Sequence, residues 1–321
     1  MRQAGRSLPE YRKVKGDLSI LDAVRHPDLA AELTLQPVHR LGVDAAILYS
    51  DIMVPVAAIG FGVEIEPGVG PVVAQPFRGA ADLDRLRPLE PEVDLPWVGA
   101  TVRILAEESP VPVIGFAGGP FTVASYLVEG GPSREQARTR SLMHADPQLW
   151  AALADRLADL ALASLRAQVA AGAAAVQLFD SWVGTLAAAD YRRHVLPATR
   201  RIFEGLADLG VPRIHFGVGS GELLGLLGEA GADVVGVDWR VPLDTAWDRV
   251  GHARALQGNL DPTVLLAPWR AVAPAAHDVL RRAAGRPGHI FNLGHGVLPD
   301  TDADVLTRLV DLVHGWEVPD Q

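Results

Sequence analysis

The chain of 321 residues contains no cysteine. This absence excludes disulfides, thiolate nucleophiles and any zinc or iron–sulfur site built on cysteine ligands. No apolar run reaches the roughly 18 to 20 uncharged residues that a membrane-spanning helix needs, so no membrane association is expected. The basic start, Met1 to Arg6, has no apolar stretch behind it and lacks the pattern of a secretory signal. Together these absences predict a soluble, cytoplasmic protein.

Positive charge is also scarce. The chain has 29 Lys and Arg against 39 Asp and Glu, a formal net charge of −10. A nucleic-acid-binding protein normally presents a basic face to the phosphates, so this class of partner is not expected. An anionic small molecule remains a suitable substrate, provided that a local cluster of Arg, Lys or His binds it against the field of the whole protein.

Short apolar segments recur along the chain, and each ends in polar or glycine residues before a helix-like stretch. Near-continuous apolar runs of this length are typical of parallel strands buried on both faces. Their alternation with helices predicts right-handed βαβ units. We therefore predict one (β/α)8 TIM-barrel domain over residues 1–321. The seven predicted strands lie within residues 44–51, 112–118, 174–181, 212–219, 232–239, 254–260 and 289–296.

Seven strands are one fewer than a closed barrel requires. The missing strand would have to lie at or before Met1, so the barrel is expected to lack part of its first strand because of a short N-terminus. Residues 63–97 are rich in proline and glycine, which predicts a long excursion over the surface between a strand and the next helix. The best-defined helix should begin after Asp146, with Pro147 in its first turn, and end at Gly172.

The active site of such a barrel lies where the strands end. Asp51 closes the first apolar run and His295 stands between two glycines. Both are therefore candidate active-site residues. Asp51 is also compatible with a helix cap or a loop ion pair, and His295 with a structural loop. Arg2 and Arg6 are four positions apart, so they either bind one anion together or form a solvated basic start.

Nucleotide and metal sites are not predicted. The glycine-rich turns at residues 115–120 and 217–221 lack the Lys-Ser/Thr ending of a P-loop and the third glycine of a dinucleotide fingerprint. The other histidines examined fall on helix patterns without metal-ligand spacing, and surface or packing roles are expected for them: His39, His144, His194, His252, His277 and His314.

Six ordered motifs resemble those of the uroporphyrinogen decarboxylase family, and agreement of all six by chance is negligible. The first is Met-Arg-Gln-Ala-Gly-Arg-Ser-Leu-Pro-Glu-Tyr-Arg at residues 1–12, where Ser7 replaces the usual tyrosine. The others lie at residues 49–52, 114–122 with Tyr126 and residues 129–131 behind it, 179–182, 256–262 and 291–296.

The resemblance implies a carboxy-lyase that needs neither cofactor nor metal. Members of the family turn the four acetate side chains of uroporphyrinogen III into methyl groups and give coproporphyrinogen III, a step of heme and tetrapyrrole biosynthesis. The resemblance also implies a cytoplasmic homodimer with uroporphyrinogen as its small-molecule ligand.

The same resemblance assigns site residues. It implies catalytic roles for Asp51, Arg2, Tyr126 and His295. It implies substrate contacts by Arg2, Gln3, Ala4, Gly5, Arg6, Asp51, Ile52, Tyr126, Phe179, Ser181 and His295.

Two alternatives stand beside this interpretation. One is a tetrapyrrole-binding barrel whose catalysis is impaired by the short N-terminus. The other is a corrinoid-linked methyltransferase of the same superfamily. Such enzymes generally hold zinc through Cys and His, and the absence of cysteine disfavours that alternative.

Overall fold

The computed structural model describes residues 3–66 and 68–317 and is built around a curled parallel sheet. Seven strands form this sheet, and each lies within one of the seven segments predicted from apolar runs, so that prediction is confirmed. Two further strands form a small antiparallel hairpin. In chain order the strands are β1 (Ala46–Ile47), β2 (Val63–Glu66), β3 (Gly70–Val73), β4 (Val113–Gly118), β5 (Ala175–Phe179), β6 (Arg213–Phe216), β7 (Val234–Gly236), β8 (Ala255–Leu260) and β9 (His289–Leu293).

The strands of the parallel sheet follow one another in chain order, β1-β4-β5-β6-β7-β8-β9. Their register brings the carboxyl ends to one level, since Phe179 pairs with Gly118 on one side and with Phe216 on the other. The central strands β4 to β8 are buried on both faces, as their apolar sequences require. The strand ends at which the site is predicted therefore lie at the same level of the barrel.

Helices lie between successive strands, as expected for a β/α barrel. They are α1 (Pro9–Lys15), α2 (Ile20–Ala23), α3 (Pro27–Leu41), α4 (Val54–Ala58), α5 (Pro91–Asp94), α6 (Pro96–Glu108), α7 (Pro120–Glu129), α8 (Ala137–Ala145), α9 (Pro147–Ala170), α10 (Ala188–Asp190), α11 (Leu196–Glu204), α12 (Leu224–Glu229), α13 (Leu243–Val250), α14 (Trp269–Ala283) and α15 (Ala303–His314). Short 3-10 helices occur at Ala4–Ser7, Ala80–Arg85, Val183–Thr185, Ala207–Leu209, Gly221–Leu223 and Pro262–Leu266, and a π-helical turn spans Tyr191–Val195.

The longest of these helices, α9, has the predicted ends. The carboxylate of Asp146 accepts a hydrogen bond from the amide of Leu149 at 3.0 Å and caps the first turn. Gly172, with a φ of 117°, follows the last turn in a conformation that favours glycine. On its buried face, Trp150 donates from Nε1 to the carbonyl oxygen of His194 at 2.7 Å.

The excursion between β1 and β4 has more regular structure than its composition suggested. Strands β2 and β3 pair there as a hairpin, with Val63 opposite Val73, and helices α5 and α6 follow. The valines at these positions are buried beneath the hairpin, whereas the prolines and glycines suggested only a loop. Burial of alternate side chains stabilises the hairpin.

Strands β1 and β9 form the edges of the parallel sheet among the described residues, where no eighth strand occurs. Helices α3 and α15 bring these edges near each other: Arg40 of α3 pairs with Asp304 of α15 at 2.8 Å. Ile290 of β9 is 43% exposed, unlike the apolar residues of the central strands. The curled sheet is thus held by helix contacts on this side.

The described helices include none that is both long and apolar enough to cross a membrane.

Candidate active site

The carboxyl ends of the strands surround a cavity of about 530 Å³. This volume is within the range of small-molecule sites, roughly 300 to 1,000 Å³. Its wall contains ten of the eleven predicted site residues: Gln3, Ala4, Gly5, Arg6, Asp51, Ile52, Tyr126, Phe179, Ser181 and His295. The eleventh, Arg2, lies outside the described residues.

Asp51 follows the first strand and is half-buried at the cavity wall. Its Oδ1 accepts a hydrogen bond from the amide of Met53 at 2.9 Å, which orients the carboxylate. The sequence left open a capping role for Asp51, but the N-cap of α4 is Met53 and α4 has no side-chain capping hydrogen bond, so this bond belongs to the turn before the helix. A carboxylate has several acceptor positions, so a local bond of this kind does not by itself prevent contact with a ligand.

Two tyrosines lie beside Asp51. The hydroxyls of Tyr11 and Tyr49 are 3.2 Å apart. Burial raises the pKa of Tyr49 far above its usual range, with smaller contributions from the hydrogen bond to Tyr11 and from the charge of Asp51. Tyr49 therefore stays protonated near neutral pH and forms a neutral polar wall. Neither tyrosine was among the predicted site residues.

The N-terminal segment closes one side of the cavity. The short 3-10 helix Ala4–Ser7 places Arg6 in the wall, and Nε of Arg6 donates to the carbonyl oxygen of Val297 at 2.6 Å. Val297 is two residues beyond His295, so this bond joins the first motif to the last. Burial lowers the pKa of Arg6, but arginine remains cationic because its ordinary pKa is above 12.

Aromatic side chains form much of the remaining wall. The rings of Tyr126 and Trp182 stack with centroids 4.1 Å apart. Phe179 packs edge-on against Phe116 at 5.3 Å. Their faces offer apolar contacts to the rings of a ligand. His295 lies at the opposite side, edge-on to Trp239 at 6.2 Å.

A buried carboxylate, Asp180, supports this aromatic wall from behind. Its Oδ1 accepts from the amide of Thr122 at 3.1 Å and from the Thr122 hydroxyl at 2.6 Å. Thr122 is in the first turn of α7, so the charge lies at the helix N-terminus, where the helix dipole favours an anion. Tyr126 is one turn further along the same helix. Asp180 thus anchors the helix that presents Tyr126.

The same threonine also holds the neighbouring loop. Its hydroxyl oxygen accepts from the amide of Trp182 at 3.2 Å, which fixes the position from which Trp182 stacks on Tyr126. Thr122 and Trp182 both line the cavity. The network from Asp180 through Thr122 to Trp182 therefore determines where two adjoining walls stand.

Sequence reasoning passed over Asp180, although it lies between the predicted residues Phe179 and Ser181. Desolvation raises the pKa of Asp180 to about 6, and the Thr122 hydrogen bonds oppose that rise. Its Oδ2 has no hydrogen-bond partner within the described part of the chain. The signal available was side-chain alternation at the end of a strand: if Phe179 and Ser181 face the cavity, Asp180 faces away from it.

Taken together, the cavity combines an acceptor-only carboxylate, a cationic guanidinium, hydroxyls and aromatic faces. Asp51 can accept hydrogen bonds from N–H groups or stabilise a developing cation. Arg6 can hold a ligand carboxylate. The arrangement suits a ligand that carries flat rings, acidic substituents and N–H donors.

Comparison with known proteins agrees with this geometry. The family model described as Uroporphyrinogen decarboxylase (URO-D) matches residues 1–316. The uroporphyrinogen decarboxylase of Streptomyces griseus subsp. griseus is 64% identical over 315 residues, covering 98% of this chain and 86% of that protein. The uroporphyrinogen decarboxylase of Salinispora tropica is 61% identical over 315 residues, covering 98% and 85%.

Solved structures show a similar fold. A methyltransferase from Methanosarcina mazei superposes with a TM-score of 0.77 at 22% identity, covering 94% of this chain and 89% of that chain. A B12-independent methionine synthase from Shewanella sp. W3-18-1 gives 0.57 at 11% identity, covering 90% and 87%. At these identities the likeness concerns the fold alone. The family model and the high identity to curated relatives show that this chain belongs to the uroporphyrinogen decarboxylase family.

Proposed function

We propose that the protein decarboxylates the four acetate side chains of uroporphyrinogen III and releases coproporphyrinogen III. The observation that carries this proposal is that one cavity is lined by Arg6, Asp51, Tyr126 and His295 together. Membership of the family supplies the substrate class, and the cavity supplies groups that fit its chemistry.

The reaction is difficult because loss of carbon dioxide from an acetate leaves a poorly stabilised carbanion. Protonation of the adjacent pyrrole ring creates a cation that accepts the electron pair of the breaking carbon–carbon bond. Carbon dioxide then leaves, a second proton converts the exocyclic methylene group into a methyl group, and loss of the first proton from the ring restores the aromatic pyrrole. The enzyme must stabilise the ring cation and hold the carboxylates in place.

Asp51 is assigned the first of these tasks. The reduced macrocycle directs four pyrrole N–H donors inward, and an ionised carboxylate accepts several of them. Among apolar walls such as Ile52 and Phe179, its charge acts at a lower effective dielectric constant than in water. Asp51 would therefore orient the macrocycle and stabilise the positive charge as it develops.

Arg6 and Arg2 are assigned the substrate carboxylates, with Arg2 also the candidate proton donor or relay. Tyr126, Ser181 and His295 line the cavity as donors to the substrate side chains. Gln3, Ala4 and Gly5, which also line the cavity, complete the contact surface. The reaction as proposed uses no cofactor or metal, and the protein is proposed to act as a cytoplasmic homodimer with no nucleic-acid partner.

The test is an anaerobic incubation of the purified 321-residue chain with freshly reduced uroporphyrinogen III, without added cofactor or metal. Chromatography of the oxidised products counts the remaining carboxylates. Stepwise loss from eight carboxylates to four is the expected result. Tight binding of the macrocycle without any loss would contradict the proposal and favour the impaired tetrapyrrole-binding barrel.

A further inference from the structure

A cluster of possible metal ligands lies outside the active-site cavity. His144 is at the end of α8, Asp190 is at the end of α10, and His194 belongs to the π-helical turn. One ligand atom of each residue lies within 4.8 Å of the others. The Nε2 of His144 is 3.9 Å from Oδ2 of Asp190, and the two imidazole rings are 5.7 Å apart, edge to face. None of the three residues lines the cavity.

The cluster combines one fixed ligand with two adjustable ones. His194 is 9% exposed, and its carbonyl oxygen accepts the 2.7 Å hydrogen bond from the buried indole of Trp150. The side chains of His144 and Asp190 are 57% and 31% exposed. Because π-helical turns inside α-helices are frequent at functional sites, the position of His194 in such a turn is notable.

We propose that His144, Asp190 and His194 bind one divalent transition-metal ion of the zinc, cobalt or nickel class. Two imidazoles and one carboxylate suit these borderline ions, whereas calcium and magnesium prefer sites made of oxygen ligands. Three protein ligands leave a further position for water.

The distances fit such an ion after a small adjustment. Metal–ligand bonds of about 2.0 to 2.2 Å place tetrahedral ligand atoms roughly 3.3 to 3.6 Å apart. The 3.9 Å gap between His144 and Asp190 is slightly wider, and all three ligand atoms lie within 4.8 Å of one another. Rotation of the accessible His144 and Asp190 side chains would bring them to these distances around the buried His194.

The sequence predicted no metal site because its ligands are distant in the chain. Asp190 and His194 are four apart on one helical surface, and folding adds His144 from α8. Binding would connect α8 with the π-helical turn. Since an ion that binds only the native state stabilises it, the melting temperature should rise by roughly 3 to 8 °C at a hundredfold excess over the dissociation constant.

The test is isothermal titration of zinc chloride into chelator-treated protein, with cobalt chloride as a second probe whose visible absorption reports coordination. The expected result is one ion per chain in the wild type. His144→Ala and Asp190→Asn should each weaken binding at least tenfold. His252→Ala is the matched control, because His252 is also exposed and its Nε2 lies 3.6 Å from Asp248, but the described residues provide no third ligand for that pair.

Two results would overturn the proposal. One is that wild-type protein, shown to be folded by a normal melting curve, does not bind zinc or cobalt saturably. The other is stoichiometric binding that His144→Ala and Asp190→Asn leave unchanged, which would place the ion elsewhere and revive the methyltransferase alternative. Circular dichroism of each variant establishes that it is folded, and both substituted side chains are solvent-accessible enough for this to be expected.

Discussion

Arg6 donates from Nε to the carbonyl oxygen of Val297 at 2.6 Å, although 291 positions separate the two residues. The bond fixes the cationic side chain at the cavity wall and places it on the same side as His295. It also uses a donor that only arginine has, because lysine carries a single terminal ammonium group.

Arg6→Lys should therefore lower kcat/KM for uroporphyrinogen while it keeps the positive charge. Loss of a charge-assisted bond is worth roughly 1.5 to 3 kcal/mol, or about ten- to hundredfold. Steady-state kinetics measures the effect. Arg40→Lys is the control, since Arg40 is exposed and pairs with Asp304 outside the cavity. Equal kinetics for the two variants would mean that the Arg6–Val297 bond has no part in substrate binding.

Asp51→Asn should reduce kcat strongly and leave the fold intact. The amide keeps the shape and the acceptor oxygen that binds the Met53 amide, but it removes the charge proposed to stabilise the pyrrole cation. Removal of one such electrostatic group typically slows turnover by about 100- to 1,000-fold. Asp208→Asn is the matched control, because Asp208 is an exposed partner of Arg166. Near-normal turnover by the Asp51 variant would rule out the role assigned here.

Asp180→Asn should change how stability depends on pH. Burial raises the pKa of Asp180 to about 6 from 3.8, so the native state holds this proton more firmly than the unfolded state. The bound proton makes its full contribution to the free energy of unfolding below pH 4. This contribution is lost as the pH rises to 6, a change of roughly 3 kcal/mol. Between pH 4 and pH 6 the wild type loses this contribution and the variant does not. The free energy of unfolding of the variant should therefore rise by about that much relative to the wild type.

Urea unfolding of both proteins at several pH values measures this difference. The comparison with wild type is essential because buried His215 acts in the opposite direction: desolvation lowers its pKa to about 4 from 6.5. Neutral His215 makes its full contribution to the free energy of unfolding above pH 6.5, and this contribution is lost on acidification to pH 4. The His215 effect is common to both proteins and cancels. A difference that stays constant from pH 4 to pH 7 would contradict the assignment to Asp180.

Gly119→Ala should destabilise the protein by about 1 to 3 kcal/mol, the usual result of forcing an extra methyl group into a packed site. A Cβ at Gly119 would lie 2.7 Å from the Cβ of Asp180. The φ of Gly119 is −67°, so steric contact rather than backbone strain is responsible. Gly79→Ala is the control: its backbone is extended and its Cβ would have no atom within 4 Å. Chemical denaturation should separate the two variants, and equal stability would refute the contact.

Much of the fold was predictable because buried parallel strands leave a simple mark on the sequence. The runs that end at Asp51 and at residues 179–181 both became strands, and α9 has its predicted cap at Asp146. The hairpin of β2 and β3 was missed because its stability comes from burial beneath neighbouring elements. Local composition, dominated by proline and glycine, gave no sign of that packing.

The site residues that could be predicted are those that lie at the end of a strand and also match a motif of the family. Groups that act through another residue were missed. Side-chain alternation could have placed Asp180 behind the cavity wall, but its hydrogen bonds to Thr122 depend on the register of β4 and β5. The cluster of His144, Asp190 and His194 likewise needs two helices to be brought together by the fold.

The Arg6–Val297 bond also has a consequence for synthesis on the ribosome. Because the first motif of the cavity needs a partner near the other end of the chain, the binding site cannot be completed until the last strand and its loop have left the exit tunnel. Most of the sheet can assemble earlier, strand by strand, since its neighbours follow one another in the sequence. A nascent chain would thus form most of the sheet first and complete the cavity wall only after residues 289–297 have been synthesised.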